Sequence, residues 1–192
     1  MADYGIWIII AYLMGSISSA IVVCKLLSLP DPRKAGSGNP GATNVARLAG
    51  KKIAAIVLFA DALKGFIPVY FVHVMFNQPF LSALTLLAAF LGHVYPIFFR
   101  FQGGKGVATT WGGLLGLSWV LGGIFAGTWV LTLIVSRYSS LAALVAMTVA
   151  TFAACLFYGF IISGPIIVVY LIILWRHKAN ITRLLGGTET KT

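Results

Sequence analysis

VATTWGGLLGLSWVLGGIFAGTWVLTLIV, Val107 to Val135, runs 29 residues without a charge. A membrane helix needs about 20 predominantly apolar residues, at about 1.5 Å each, to cross about 30 Å of hydrocarbon. The stretch is too long for one crossing and too short for two generous ones. Its reading decides the fold, because it decides which side of a membrane receives Arg137 and everything beyond.

The rest of the chain shows that a membrane is the right solvent. Of 192 residues, 59% are hydrophobic and 9% charged, where a soluble domain carries about 25% charged residues. Further apolar stretches run from Tyr4 to Val23, Ile53 to Phe76, Phe80 to Phe99 and Leu141 to Trp175. The reading is one polytopic membrane domain over residues 1–192. The first stretch resembles a signal peptide only in length: no basic segment precedes it and a polar block follows, so it is expected to remain in the mature protein.

Length leaves the count open, and charge settles it. Splitting Val107–Val135 near Leu117 to Trp119, and Leu141–Trp175 near Gly159 to Pro165, gives seven spans. Lys25, Arg33, Lys34, Arg47, Lys51, Lys52, Arg100, Lys105, Arg137, Arg176, Lys178, Arg183 and Lys191 then share one face, 13 of the 14 basic residues. Cytoplasmic loops carry the excess of Lys and Arg. The expected fold class is therefore all-α integral membrane: seven transmembrane helices, some short, with Gly-rich cytoplasmic loops, the N-terminus outside and the C-terminus in the cytoplasm. This also explains the net charge of +10 without nucleic acid. Gly112 with Gly116, and Gly123 with Gly127, have the four-residue spacing that lets helices approach closely. Cys24 and Cys155 suggest no disulfide framework, and Cys155 is expected to be buried.

Three polar segments face the cytoplasm. In AGSGNPGATNVAR, Ala35 to Arg47, Gly36, Gly38 and Gly41 surround the turn signal Asn39-Pro40-Gly41. Thr43 or Asn44 is placed to cap the following helix, and loop N–H groups with a helix N-terminus behind them make an anion site. Arg47 adds a planar fork of donors suited to phosphate. The second segment, Gly103-Gly104-Lys105-Gly106, is no Walker A loop, because Gly106 stands where Ser or Thr is required. Its glycines let a ligand approach the backbone, and Lys105 supplies charge beside a helix N-terminus. In the third, RHKANITRLLGGTE, a helix continued past the membrane surface places His177, Asn180 and Leu184 on one face. His177 is a base, a cationic phosphate ligand or merely interfacial. Inside the bilayer, Asp61 and Lys64 stand three residues apart and are expected to pair structurally; His93 lies about 10 Å deep by rise per residue, beneath the site.

Several chemistries are absent from the pattern. No HExxH, paired-cysteine or carboxylate cluster occurs, so no catalytic metal is expected. No GxSxG elbow is present. The positions five after the histidines hold Gln78, Phe98 and Thr182, which removes the His-Asp pair of a widespread acyltransferase class.

GSGNPGATNVAR (Gly36 to Arg47), GGKGVAT (Gly103 to Thr109) and HKANITRLLGGTE (His177 to Glu189) together resemble the three signature segments of the bacterial acyl-phosphate:glycerol-3-phosphate acyltransferase family, in order, spacing and sidedness. The resemblance implies transfer of a fatty acyl group from acyl phosphate to the 1-hydroxyl of glycerol 3-phosphate, giving 1-acyl-glycerol-3-phosphate and phosphate in phospholipid synthesis. No cofactor is implied. By motif it carries over Ser37 and Arg47, then Gly104, Lys105 and Gly106 as phosphate-binding residues, then His177 and Asn180, with Glu189 structural like Asp61 and Lys64. It also implies a serine after the fifth span, Ser139 or Ser140, of which Ser140 joins the site. The expected catalytic set is His177, Asn180, Lys105 and Arg47; the expected substrate-binding set is Ser37, Gly38, Asn39, Thr43, Asn44, Gly103, Gly104, Gly106 and Ser140. The implied partners are the two substrates and membrane lipids, around a monomer in the cell inner membrane with its site facing the cytoplasm.

Two other functions suit a cationic membrane face. A phosphate or organic-anion transporter generally places its site near the midplane, whereas these polar residues crowd the rim. A module that holds anionic headgroups gives no reason for three Gly-rich or capped segments.

Overall fold

The computed structural model describes residues 4–191, and they form helices joined by short loops. In chain order these are α1 (Tyr4–Gly15), α2 (Ser19–Leu26), α3 (Ala42–Phe76), α4 (Pro79–Val94), a 3-10 turn (Ile97–Phe99), α5 (Val107–Leu117), α6 (Trp119–Ser136), α7 (Ser139–Arg176) and α8 (Lys178–Leu185). Four helices are long and apolar enough to cross a membrane, and the pair α1 and α2, bent by 41°, makes a fifth if it is one span. The protein is a multi-pass membrane protein.

The helix breaks fall at identifiable residues. Ser118 ends α5 and starts α6 in extended backbone, its hydroxyl accepting from the Leu121 N–H. Trp111 Nε1 donates to the Gly122 carbonyl at 3.2 Å; eleven residues of straight helix would separate them by about 16 Å, so α5 folds back onto α6. Gly159 interrupts α7 at φ 74° and ψ 168°, a backbone state that favours glycine. The Thr148 hydroxyl donates to the Tyr170 hydroxyl at 3.2 Å across this break, where a continuous helix would hold them about 33 Å apart. The two halves of α7 are therefore antiparallel. A third break, at Gly50 with φ 82°, sets the first turns of α3 apart from its apolar length.

The first apolar stretch, Tyr4 to Val23, is bent at Ser16 to Ser18. There Lys64 Nζ donates to the Ile17 carbonyl at 2.7 Å, supplying a partner to an acceptor released by the broken helix.

Small residues bring α3 and α5 together. A β carbon on Gly112 would overlap the Ala62 carbonyl oxygen, one on Gly65 the Thr109 carbonyl oxygen, and one on Gly116 would lie 2.8 Å from the Phe66 carbonyl oxygen. Among the described residues Gly123 and Gly127 have nothing within 4 Å of that position, so the expectation that they serve packing is corrected: this face of α6 meets no other described helix. Phe90, Leu114, Leu121, Met147, Ile166 and Ile173 fill the core between α4, α5, α6 and α7. Cys155 is half-buried, against expectation, while Cys24 is buried beside Ala20, Val45 and Val57.

Candidate active site

Each of the three polar segments is held in shape by a different device. In the first, Asn44 is buried and folds the loop around itself: its Oδ1 accepts from the Ser37 N–H at 2.8 Å, and its Nδ2 donates to the Pro32 and Ala35 carbonyls at 2.9 and 3.0 Å. Thr43 and Asn44 lie inside α3, and Gly41 occupies the N-cap without a side-chain bond. Neither residue caps the helix as expected; Asn44 organises the loop in front of it. Ser37 and Arg47 are thereby presented outward, both exposed.

The second segment is clamped from two sides. Arg176 Nη2 donates to the Gly103 and Gly104 carbonyls at 2.8 and 3.1 Å, and the Gly104 N–H donates to the His93 carbonyl at 3.2 Å. Gly106, at φ 83°, starts α5, and a β carbon there would enter the Phe90 ring. Lys105 alone of these four projects a side chain, and its ammonium donates to Asn180 Oδ1.

The third segment does not continue α7. The helix ends at Arg176, and α8 begins at Lys178. Even so, His177 and Asn180 are both buried while Leu184 is half-buried. Asn180 Nδ2 donates to Glu189 Oε1 at 2.6 Å, the Ser140 hydroxyl donates to the same oxygen at 2.7 Å, and Arg183 Nε donates to Oε2 at 2.6 Å. Of the two serines, Ser140 therefore joins the network, and Ser139 lines the cleft beside it. These donors and Arg183 hold the Glu189 carboxyl below its ordinary range against the opposing effect of burial.

The segments converge on one cleft of about 630 Å³. Ser37, Asn39, Thr43, Asn44, Arg47, Lys105, Gly106, Ser140, His177, Asn180, Glu189 and Asp61 line it. Gly38, Gly103, Gly104 and Lys64 do not. The cleft also takes in Arg176, Arg183 and His93, and its other wall is apolar, with Leu58, Val107, Trp111, Phe125, Trp129 and Val130. Arg183 and the loop-clamping role of Arg176 were not singled out in the sequence; the signal was their place in the polar segment, flanking His177 and Asn180 across the junction of α7 and α8. Beneath the cleft, Lys64 Nζ lies 2.8 Å from Asp61 Oδ1, and His93 Nδ1 is 3.7 Å from the same oxygen.

Electrostatics shifts both Lys105 and His177. Burial pushes the Lys105 ammonium down to about 8; Glu189 opposes the shift, and Arg183, Arg176 and Arg47 add to it. Burial and the Lys105 charge push the His177 imidazole down to about 4. His177 is neutral near pH 7, which disfavours the cationic-ligand reading. Its Nδ1 lies 2.9 Å from the Ile173 carbonyl; that acceptor requires the proton on Nδ1 and leaves a lone pair on Nε2. Among the described residues no group of three metal-ligating side chains occurs.

A cleft that is cationic at its rim and apolar along one wall, cut into a helical membrane bundle, suits a membrane protein that binds an amphipathic anion. The comparisons sharpen this. The family model for glycerol-3-phosphate acyltransferase matches residues 5–187, and the chain belongs to that family: it is an acyltransferase. A glycerol-3-phosphate acyltransferase of Francisella tularensis subsp. holarctica is 52% identical over 96% of this chain and 90% of its own length, and that of Francisella philomiragia is 50% identical over the same shares. The crystal structure of PlsY (YgiH), an integral membrane glycerol 3-phosphate acyltransferase, matches in its glycerol 3-phosphate form with a TM-score of 0.95 at 39% identity, covering 100% of this chain and 96% of that one. Its lysophosphatidic acid form matches with a TM-score of 0.90 at 39% identity, covering 99% and 95%.

Proposed function

We propose that this acyltransferase moves a fatty acyl group from acyl phosphate to the 1-hydroxyl of glycerol 3-phosphate, releasing 1-acyl-glycerol-3-phosphate and inorganic phosphate at the start of phospholipid synthesis. The observation that carries this reading is the two-walled cleft: Arg47, Lys105 and Arg183 at the rim suit two phosphates, and Trp111, Phe125 and Trp129 suit an alkyl chain. The names of the relatives support glycerol 3-phosphate as acceptor.

The chemistry asks little of the protein beyond position and charge. Acyl phosphate is a mixed anhydride with a good leaving group. The glycerol oxygen bonds to the acyl carbon, the bond from that carbon to the phosphate oxygen breaks, and no acyl-enzyme forms. Lys105, Arg47 and loop N–H groups neutralise the phosphates and hold the reactants in line. His177 and Asn180 orient the acceptor, and the hydroxyl proton passes to His177 Nε2 or directly to a substrate phosphate. Ser37, Asn39, Thr43 and Gly106 form the phosphate-binding floor, Gly38, Gly103 and Gly104 shape the loops behind it, and Asn44, Ser140 and Glu189 hold its walls. Neither metal nor cofactor enters this scheme.

The same reading places residues 1–192 as one monomeric domain of seven membrane segments in the cell inner membrane, with the N-terminus outside and the cleft facing the cytoplasm. Alpha 5 is the short member, since its 11 residues rise only about 16 Å. Purified protein given acyl phosphate and glycerol 3-phosphate should yield lysophosphatidic acid. Anion flux into proteoliposomes with no lipid product would replace this reading with a transporter. Cysteines placed at Asn77 and Arg137 should label from opposite sides of sealed vesicles; labelling from one side would overturn the topology.

A further inference from the structure

We propose that His93 is a positioning residue of the acyl-transfer site: set beside the Asp61–Lys64 pair, its ring packs against the Gly103-Gly104 backbone and so sets where the Lys105 ammonium stands. The inference rests on the reading that Lys105 holds a phosphate.

Three groups able to carry charge lie buried together at this point. Asp61 is 2% exposed, and Lys64 and His93 are each 7% exposed. Removing such groups from water costs several kcal/mol per ion unless each is compensated. A structural role accounts for two of them: Lys64 joins Asp61 at 2.8 Å and the Ile17 carbonyl at 2.7 Å, tying α3 to the bend between α1 and α2. It does not account for His93, which comes from α4 and turns Nδ1 towards the same Asp61 oxygen at 3.7 Å. At that distance, beyond hydrogen-bond reach, the carboxylate acts on the ring through its charge, which favours the tautomer with the proton on Nδ1.

The opposite edge of that ring meets the glycine loop. A β carbon on Gly104 would strike His93 Nε2, and one on Gly103 would strike the His93 carbonyl oxygen. The Gly104 N–H donates to that carbonyl at 3.2 Å. From the other side Arg176 holds the two glycine carbonyls at 2.8 and 3.1 Å. The loop is gripped between α4 and the end of α7, and the next residue is Lys105. Removal of the ring keeps the His93 carbonyl bond but takes away the packing against Gly104, and the ammonium shifts in a cleft where a misplacement of about 1 Å costs about 100-fold in rate.

A double-mutant cycle tests the coupling, read as kcat/KM for radiolabelled glycerol 3-phosphate in detergent over long incubations. His93→Ala should lower it about 10- to 100-fold in the native background and less than about threefold when Lys105 is already Ala. The same factor in both backgrounds, or no loss in the native one, overturns the proposal. Should His93→Ala fail to fold, the joint change Asp61→Asn with Lys64→Met decides. Replacing both members of a buried pair commonly preserves folding, so the helical melting temperature should persist while kcat/KM falls, again only when Lys105 is present. Native kinetics in that folded variant would sink the idea, since a purely structural pair predicts them. Unchanged activity of Lys105→Ala alone would instead sink the phosphate-binding role of Lys105, and is read separately.

Discussion

The rim of the cleft and the buried layer beneath it both hold charge, and they are built on opposite plans. At the rim Arg47, Lys105, Arg176 and Arg183 stand around a single carboxylate, Glu189. Beneath it Lys64 faces Asp61 one to one and donates a second proton to the Ile17 carbonyl. The lower pair is closed and electrically complete. The rim has more cations than its own anion satisfies, and such an excess is stable only where water or an anionic ligand supplies the balance. Local counting of charge thus separates a binding surface from a brace, although both draw on the same residue types.

Four experiments would break or sharpen this contrast. The largest effect is expected at Lys105. Its replacement by Ala should cut turnover at least about 100-fold, by analogy with removal of one electrostatic donor from a transition state; near-normal turnover would refute the role of the rim. Next comes pH. Lys105 loses its proton near 8, so kcat/KM should fall about tenfold per unit above that value, and the residual activity of Lys105→Arg should lack this limb. Stability should move the other way. Between about 8 and the ordinary lysine value of 10.5 the unfolded chain binds the proton that the folded chain has released, so the fold gains stability as pH rises. A melting temperature that rises less in Lys105→Ala than in the native protein over that range is the check.

The third test separates binding from proton removal. His177→Ala should raise KM while kcat largely survives if a substrate phosphate takes the proton, and should lower kcat if Nε2 takes it. Because His177 titrates near 4, the acid limb of kcat/KM should show no imidazole step near 6.5. The histidine also makes folding less favourable as pH falls from 6.5 towards 4, since only the unfolded chain takes up a proton there. The smallest effect belongs to α6. Gly123→Ala and Gly127→Ala should change stability by less than about 0.5 kcal/mol, whereas Gly112→Ala must push the α3 backbone away and should cost about 1–3 kcal/mol. Thermal unfolding in detergent compares them directly.

The glycine pairs show how far a motif reaches. Both have four-residue spacing, yet only Gly112 and Gly116 face α3; spacing puts two small residues on one side of a helix, and the bundle decides whether anything stands opposite. Cys155 and the presumed caps Thr43 and Asn44 teach the same lesson. A residue's helical position was legible, but its partner came from elsewhere in the chain. His93 and Asp61 are the sharpest case, 32 positions apart and therefore invisible to any search for a His-Asp spacing.

What the amino-acid order determined by itself is what depends on local or one-dimensional physics. Apolar length called for membrane helices, basic residues on one side of each crossing called for breaks near Ser118 and Gly159, and Gly-rich turns beside Arg47, Lys105 and His177 marked the polar segments. What tertiary structure alone decided is the convergence: Asn180 against Lys105, Glu189 against Ser140, Arg176 across Gly103 and Gly104. Those contacts join residues up to 75 positions apart, and they form only because close packing of small residues between helices leaves each loop a single place to stand.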